Sequence, residues 1–219
     1  MFKKNNFWWS IAYLLLTVVY LSKDSYSGYV LPSYFIAFPV FFASFILLSN
    51  KGLKEYLIIL ALIFSGAGDL SGVAGSLILQ MCFFAVAHIL YIITFLKKAR
   101  FSIVGIVISI LIIGFVLFYI IFITIKVPGN ELYAPIAYSI VISVMCVSSF
   151  LYNWQYRTLF RTGAVLFIIS DGMIAWRMYM DSFPYMSLAI MASYYLAQYF
   201  FVNGALRRDN QSSKTLITV

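Results

Sequence analysis

Residues 102–125 read SIVGIVISILIIGFVLFYIIFITI, with no charged side chain and no proline. As a helix rising 1.5 Å per residue, this stretch is about 36 Å long, enough to cross the roughly 30 Å hydrocarbon core of a bilayer. The rest of the chain repeats the pattern. Apolar runs bounded by charged residues or Pro/Gly breaks occur near 7–22, 29–49, 53–70, 74–96, 102–125, 132–153, 158–178 and 183–206. Hydrophobic residues make up 63% of the 219 positions and charged residues 10%, against roughly 45–50% and 25% in a soluble domain. The expected fold is therefore an all-α integral membrane protein of about eight transmembrane helices. Residues 1–219 read as a single transmembrane helical domain, with 207–219 as a short cytoplasmic tail.

The formal net charge of +8 comes from 15 basic residues scattered between apolar runs, so there is no basic face for nucleic acid. Their distribution orients the chain instead. With the N-terminus inside, twelve fall at inner ends: Lys3, Lys4, Lys51, Lys54, Lys97, Lys98, Arg100, Arg157, Arg161, Arg207, Arg208 and Lys214. Lys23, Lys126 and Arg177 fall at outer ends. Cytoplasmic loops are enriched in Lys and Arg, which puts both termini in the cytoplasm, here of a bacterial inner membrane. The first run ends in Tyr20, Leu21, Ser22 and Lys23 without a small-residue cleavage site, so it is retained as a helix. Cys82 and Cys146 lie within apolar runs and read as small hydrophobes.

Five of the seven carboxylates, Asp24, Glu55, Glu131, Asp181 and Asp209, fall at helix ends where water can solvate them. Asp69 and Asp171 do not. Counted from Leu57 and Arg161, they lie 12 and 10 residues along their runs, about 15–18 Å deep. An ionisable group at that depth costs several kcal/mol unless it is paired or faces water, and function is the usual reason it persists. The other polar residues at comparable depth are Ser65, His88, Tyr91, Ser170, Tyr194, Tyr195 and Gln198, with glycines at 66, 68 and 72 that permit close backbone approach. His88 and Tyr91 share a helix face, as do Tyr194 and Gln198. Each also has a purely structural reading, in which His88 bonds a backbone carbonyl, tyrosines pack, and serines bond the carbonyl one turn back. A faint echo between the halves suggests a 4+4 parallel internal repeat. Asp69 is answered by Asp171 and Ala87-His88 by Ala197-Gln198, but the two offsets differ and no single register fits both.

One histidine and two aspartates are a thin ligand set for zinc, and no metal is expected. A nucleophilic triad would need Ser65 or Ser71 with His88, yet no Gly-x-Ser-x-Gly elbow occurs. Glycine-rich phosphate loops and dinucleotide fingerprints are also missing, so no organic cofactor is expected. Paired carboxylates for acid/base work, or a proton- or cation-coupled relay, remain.

Four blocks carry a resemblance: Phe64-Ser-Gly-Ala-Gly-Asp69; Phe84-x-x-Ala87-His88-x-x-Tyr91-x-x-x-Phe95; Gly163-Ala-x-Leu-Phe167-x-x-Ser170-Asp171-x-x-Ile174-Ala175; and Tyr194-Tyr195-Leu-Ala197-Gln198. In this order they resemble the YhhN-like lysoplasmalogenase family of multispanning membrane proteins. Phe38-Pro39 stands where the family pattern has Lys-Pro, and Ser71-Gly72 where it has aliphatic residues. The resemblance implies hydrolysis of the vinyl ether bond of lysoplasmalogens to a fatty aldehyde and glycerophosphoethanolamine or glycerophosphocholine. Vinyl ethers hydrolyse by protonation of the alkene carbon, capture of the oxocarbenium ion by water, and collapse of the hemiacetal. That chemistry needs an acid, an ionised neighbour and a water, as in two-carboxylate glycosidases. On this reading Asp69 and Asp171 form the acid/base pair, and His88 and Tyr91 orient a carboxylate or the water. Tyr194 and Gln198 line the site, with Ser65, Ser170 and Tyr195 beside it. The partners are a lysophospholipid substrate and the bilayer.

Competing classes are a small-solute or proton-coupled transporter using the aspartates as a relay, and a lipid-binding membrane protein without turnover. Pro39 and Pro135 do not break corresponding helices of two halves, which argues against transport. The charge asymmetry makes a direct prediction for orientation. Single cysteines introduced as Phe2→Cys and Thr215→Cys should react with an impermeant thiol reagent from the same membrane face, and labelling from opposite faces would overturn the topology.

Overall fold

A computed structural model of the chain describes residues 4–22, 32–50, 55–125, 129, 133–153 and 156–215. Among them each expected run contains one α-helix: α1 (Lys4–Leu21), α2 (Phe38–Ser49), α3 (Tyr56–Val73), α4 (Leu77–Leu96), α5 (Ile103–Thr124), α6 (Tyr133–Leu151), α7 (Arg157–Tyr179) and α8 (Met186–Thr215). Among the described residues, five spans are long and apolar enough to cross a membrane: Tyr56–Val73, Leu77–Leu96, Ile103–Phe122, Tyr133–Leu151 and Arg157–Tyr179. The protein is thus a helical integral membrane protein. The expectations that rest on Lys3, Lys23, Asp24, Lys51, Lys54, Lys126 and Glu131 lie outside the described residues.

The second run differs from a single helix over 29–49. A short 3-10 helix (Ser33–Ala37) precedes α2, and Phe35 N–H bonds Pro32 C=O at 2.9 Å. Pro39 sits in the first turn of α2, where its missing N–H costs nothing; deeper in a helix its ring would clash with the preceding turn. At the other end of the chain, α8 continues to Thr215 rather than stopping near 206.

Packing closes a ring. α2 packs on α3, α3 on α4, α4 on α6, α6 on α7, α7 on α8, and α8 returns to α2. α1 lies outside against α2 and α8, and α5 lies outside against α6 and α7. Large apolar side chains on the outer face of α5, such as Ile110, Leu111, Phe115 and Phe118, are exposed; in a bilayer they meet acyl chains rather than water. Between α3 and α4 the chain turns at Gly75, whose φ of +80° is strained for a residue with a Cβ.

One end of the ring is stapled. Arg100 N–H bonds Leu151 C=O at 2.9 Å and Asn153 N–H bonds Lys98 C=O at 3.0 Å, around an isolated bridge between Ala99 and Tyr152. Arg161 donates to the carbonyls of Ser149, Phe150 and Tyr152 at 3.4, 2.9 and 3.4 Å, supplying partners for carbonyls that the end of α6 leaves open. Behind this staple, Tyr91, Phe95, Tyr152, Phe160 and Phe201 form a buried aromatic layer; the Tyr91 and Phe201 ring centroids are 4.4 Å apart.

In a membrane there is little hydrophobic drive between helices, so close packing at small residues has to hold them. α7 and α8 do this reciprocally. A Cβ on Gly163 would lie 2.7 Å from the Phe201 ring, and one on Gly204 would lie 2.7 Å from the Phe160 ring. In α3, Gly66, Gly68 and Gly72 receive Phe41, Phe84 and Gln80 in the same way. By contrast, nothing lies within 4 Å of a Cβ placed on Gly114 in α5. Gly163→Ala and Gly204→Ala should therefore each destabilise by about 1–3 kcal/mol through overpacking. Gly114→Ala should be neutral or stabilising by about 0.5–1 kcal/mol. Thermal unfolding in detergent checks this, and equal melting temperatures for all three variants would show that the glycines do not set the helix spacing.

Candidate active site

Asp69 lies in the last part of α3 and is 4% exposed. A carboxylate so buried needs a donor, and Tyr194 of α8 supplies one, its hydroxyl donating to Asp69 Oδ2 at 2.8 Å. Tyr194 is held by edge-to-face contacts. Its ring lies 5.7 Å from Phe84 of α4 and 5.5 Å from Phe167 of α7, while Phe84 and Phe167 meet at 6.2 Å. Such ring pairs have definite preferred geometries, so this triangle fixes the hydroxyl against Asp69.

Asp171 lies on α7, its side chain 11% exposed. The Tyr138 hydroxyl of α6 donates to Asp171 Oδ2, and His88 Nε2 of α4 lies 3.0 Å from that same hydroxyl and 3.6 Å from Asp171 Oδ2. His88, Tyr138 and Asp171 therefore form one cluster joining three helices. His88 is fully buried, packed edge-on to Phe167 at 4.7 Å, and its Nδ1 has no hydrogen-bond partner among the described residues.

Both aspartates line one cavity of about 410 Å³, together with Tyr20, Ser170, Arg177 and Tyr194. It lies toward the end of the ring opposite the staple, among the C-terminal ends of α1, α3 and α7 and the N-terminal ends of α4 and α8. A second cavity of about 420 Å³, with almost wholly apolar walls, lies among α4, α5, α6 and α7. The two share Leu77, Gln80, Phe84, Asp171, Ile174 and Met178. Asp171 thus stands in the wall between a polar space and an apolar one.

The other residues singled out from the sequence divide by location. Ser170 reaches the polar cavity, with its hydroxyl donating to Ile190 C=O at 3.0 Å. Tyr91 donates to Gln198 Oε1 at 2.9 Å, and this fully buried pair lies on the staple side of Tyr194, outside the cavity lining. Tyr195 turns away, donating to Ile36 C=O at 2.7 Å and accepting at its own backbone carbonyl the Tyr13 hydroxyl at 2.8 Å. Ser65 is buried one turn before Asp69, its hydroxyl without a hydrogen-bond partner among the described residues. Ser71 donates to Ala67 C=O at 2.9 Å. Among the described residues, no group of three His, Cys, Asp or Glu side chains gathers that could hold a metal ion.

Sequence reasoning missed Tyr138. It sits on a helix without a recognisable motif, 33 residues from Asp171 and 50 from His88, and nothing in its local spacing separates it from the other 16 of the 17 tyrosines. It also missed Gln80, which lines both cavities.

Comparison with known proteins agrees with the motif blocks. Rat lysoplasmalogenase TMEM86B is 31% identical over 130 residues, covering 58% of this chain and 51% of that protein. Mouse lysoplasmalogenase TMEM86B is 47% identical over 45 residues, 20% of each chain. The match therefore spans about half the length of the rat protein. No solved structure matches the chain. A model described as the YhhN family matches residues 31–205, a range that holds both aspartates, the tyrosines that bond them and both cavities apart from Tyr20 and Leu21 at one rim. Matched over most of its length, the chain belongs to the YhhN family.

Proposed function

We propose that this protein hydrolyses the vinyl ether bond of lysoplasmalogens, releasing a fatty aldehyde and a glycerophosphodiester, with Asp69 and Asp171 as the acid/base pair. The observation that carries the reading is the shared cavity wall. Two carboxylates face one polar space, and one of them, Asp171, also borders an apolar chamber sized for a single aliphatic chain. Family membership and the printed names of the rodent relatives point to the same substrate class.

In this mechanism the alkenyl chain lies in the apolar cavity and the glycerol portion in the polar one. α4 and α5 both line the apolar cavity, and α5 packs chiefly on α6, so the gap between α4 and α5 is the lateral route for the chain from the bilayer. The protonated carboxyl group delivers its proton to the alkene carbon next to the ether-bearing carbon, leaving an oxocarbenium ion. The second carboxylate stabilises that charge and takes a proton from water as it adds, giving a hemiacetal. Collapse of the hemiacetal passes its hydroxyl proton to the first carboxylate while the second carboxyl group gives its proton to the departing glycerol oxygen, which leaves the aldehyde. One water is consumed and both carboxyl groups return to their starting state, so no redox partner is needed. The Tyr194 and Tyr138 hydroxyls hold the two carboxyl groups in position, and His88 holds Tyr138 in place.

The full topology belongs to the same proposal. All eight α-helices cross the membrane as one domain, with both termini on the cytoplasmic side. α8 meets this despite its interior Ser193, Gln198 and Asn203, because those side chains are buried against the ring rather than turned to lipid.

Asp69→Asn and Asp171→Asn keep side-chain volume but cannot move the proton, so each should lower aldehyde release from a lysoplasmalogen by about 10²- to 10⁴-fold. The double variant should fall little further, because groups that act as a unit are not additive. Full activity in either single variant overturns the assignment, and lost activity accompanied by a lost melting transition makes the pair structural. An assay of fatty acid release from ordinary lysophospholipids, run alongside, separates ether from ester hydrolysis.

Tyr138→Phe removes the hydroxyl that joins His88 to Asp171 but keeps the ring. Turnover should fall about tenfold or more, the scale of a lost hydrogen bond to a charged group. Adding Tyr138→Phe to Asp171→Asn should cost little beyond Asp171→Asn alone, since the tyrosine acts through that carboxylate. Independent, multiplicative losses would show that Tyr138 acts elsewhere.

A further inference from the structure

Arg177 is one of only three basic residues that the charge count puts at outer ends, where it works against the orientation the other twelve set. Its position explains its presence. It is exposed at the mouth of the polar cavity and is the one cation among that cavity's lining residues. One guanidinium nitrogen bonds Ser187 Oγ of α8 at 3.1 Å, which aims the group across the gap between α7 and α8. A guanidinium carries five N–H donors in a planar fork suited to phosphate oxygens, and the described residues make no other hydrogen bond or ion pair to it.

The spacing along α7 matches a lipid. Asp171, Ile174, Arg177 and Met178 all line the polar cavity, at intervals that keep them on one helix face. The six residues from Asp171 to Arg177 rise about 9 Å, and side chains on a helix slant back toward its N-terminus, which shortens the working distance. In a lysophospholipid with an ether-linked chain, six single bonds separate the first chain carbon from phosphorus, about 7 Å when extended.

Resting on the lysoplasmalogenase reading, we infer that Arg177, positioned by Ser187, binds the phosphodiester of the substrate headgroup. The enzyme thereby selects phosphate-bearing lyso-lipids over neutral alkenylglycerols and sets the ether bond at the depth of the two aspartates.

The test uses ligands that cannot be cleaved, so its outcome does not depend on turnover. Binding of a saturated 1-O-alkyl lysophosphatidylethanolamine and of the corresponding 1-O-alkylglycerol is measured on the full chain in detergent. The wild type should bind the phosphate-bearing lipid about tenfold tighter or better. Arg177→Gln should bring that ratio close to one, and Arg177→Lys should restore part of it. A wild-type ratio near one, or an unchanged ratio in Arg177→Gln, overturns the inference. A second measurement needs no variant. Glycerophosphoethanolamine should protect Arg177 from phenylglyoxal, whereas glycerol and inorganic phosphate at equal concentration should not. Equal protection by inorganic phosphate would make this a general anion site and overturn the headgroup assignment. Loss of aldehyde release with the binding ratio intact would count against the proposed hydrolysis alone.

Discussion

A carboxyl group inside an apolar helical bundle has to be given hydrogen-bond donors by the protein, because lipid offers none. Asp69 and Asp171 each receive a tyrosine hydroxyl from a different helix, and the packing around them follows from the need to hold those two hydroxyls still. Tyr194 is fixed by Phe84 and Phe167, and Phe167 also backs His88, which meets Tyr138. One phenylalanine on α7 thus supports both carboxylates. The α7–α8 interface that carries it is drawn close by glycines facing aromatic rings. Small residues far from the carboxylates therefore serve the same constraint as the tyrosines that touch them.

The fold class was legible because hydropathy in a membrane protein is nearly a direct readout of which segments meet lipid. The aspartates were legible for the same reason, since charge at depth is costly and so stands out. Tyr194 could be found because it lies one helical turn from Gln198 within a motif block. The limits of the reading are equally physical. Tyr138 meets its partners only through tertiary packing, and a tyrosine in a chain with 17 of them has no local mark. Adjacent residues on a helix face different ways, so Tyr195 leaves the site that its neighbour Tyr194 enters. Ser170 was found at the cavity, while its bond to the backbone of α8 depends on how α7 and α8 pack. The early proline at position 39 was visible, but not that the chain before it would tighten into a 3-10 turn.

Two departures from the family pattern acquire a local setting. The Phe38 ring stacks on Phe35 at 5.1 Å across the junction of the 3-10 helix and α2. Gly72 gives the Gln80 side chain room directly against α3, where a Cβ would lie 2.8 Å from its amide group. Gln80 is among the residues that divide the polar cavity from the apolar one. The departure at Ser71-Gly72 therefore bears on the partition between the two cavities, the part of the site closest to substrate choice under the proposed mechanism.

The staple gives the bundle two unequal ends. Backbone bonds and the Arg161 side chain tie α4, α5, α6 and α7 together on one side, with an aromatic layer beneath them. The other end holds both cavities, and there α7 and α8 are joined by side-chain bonds, Arg177 to Ser187 and Ser170 to Ile190 C=O. A side-chain bond breaks by rotation of one torsion, whereas a main-chain bond breaks only when its segment moves. Amides in the stapled segments should then exchange with solvent only when the whole bundle opens, while those near the cavity mouth exchange through smaller excursions.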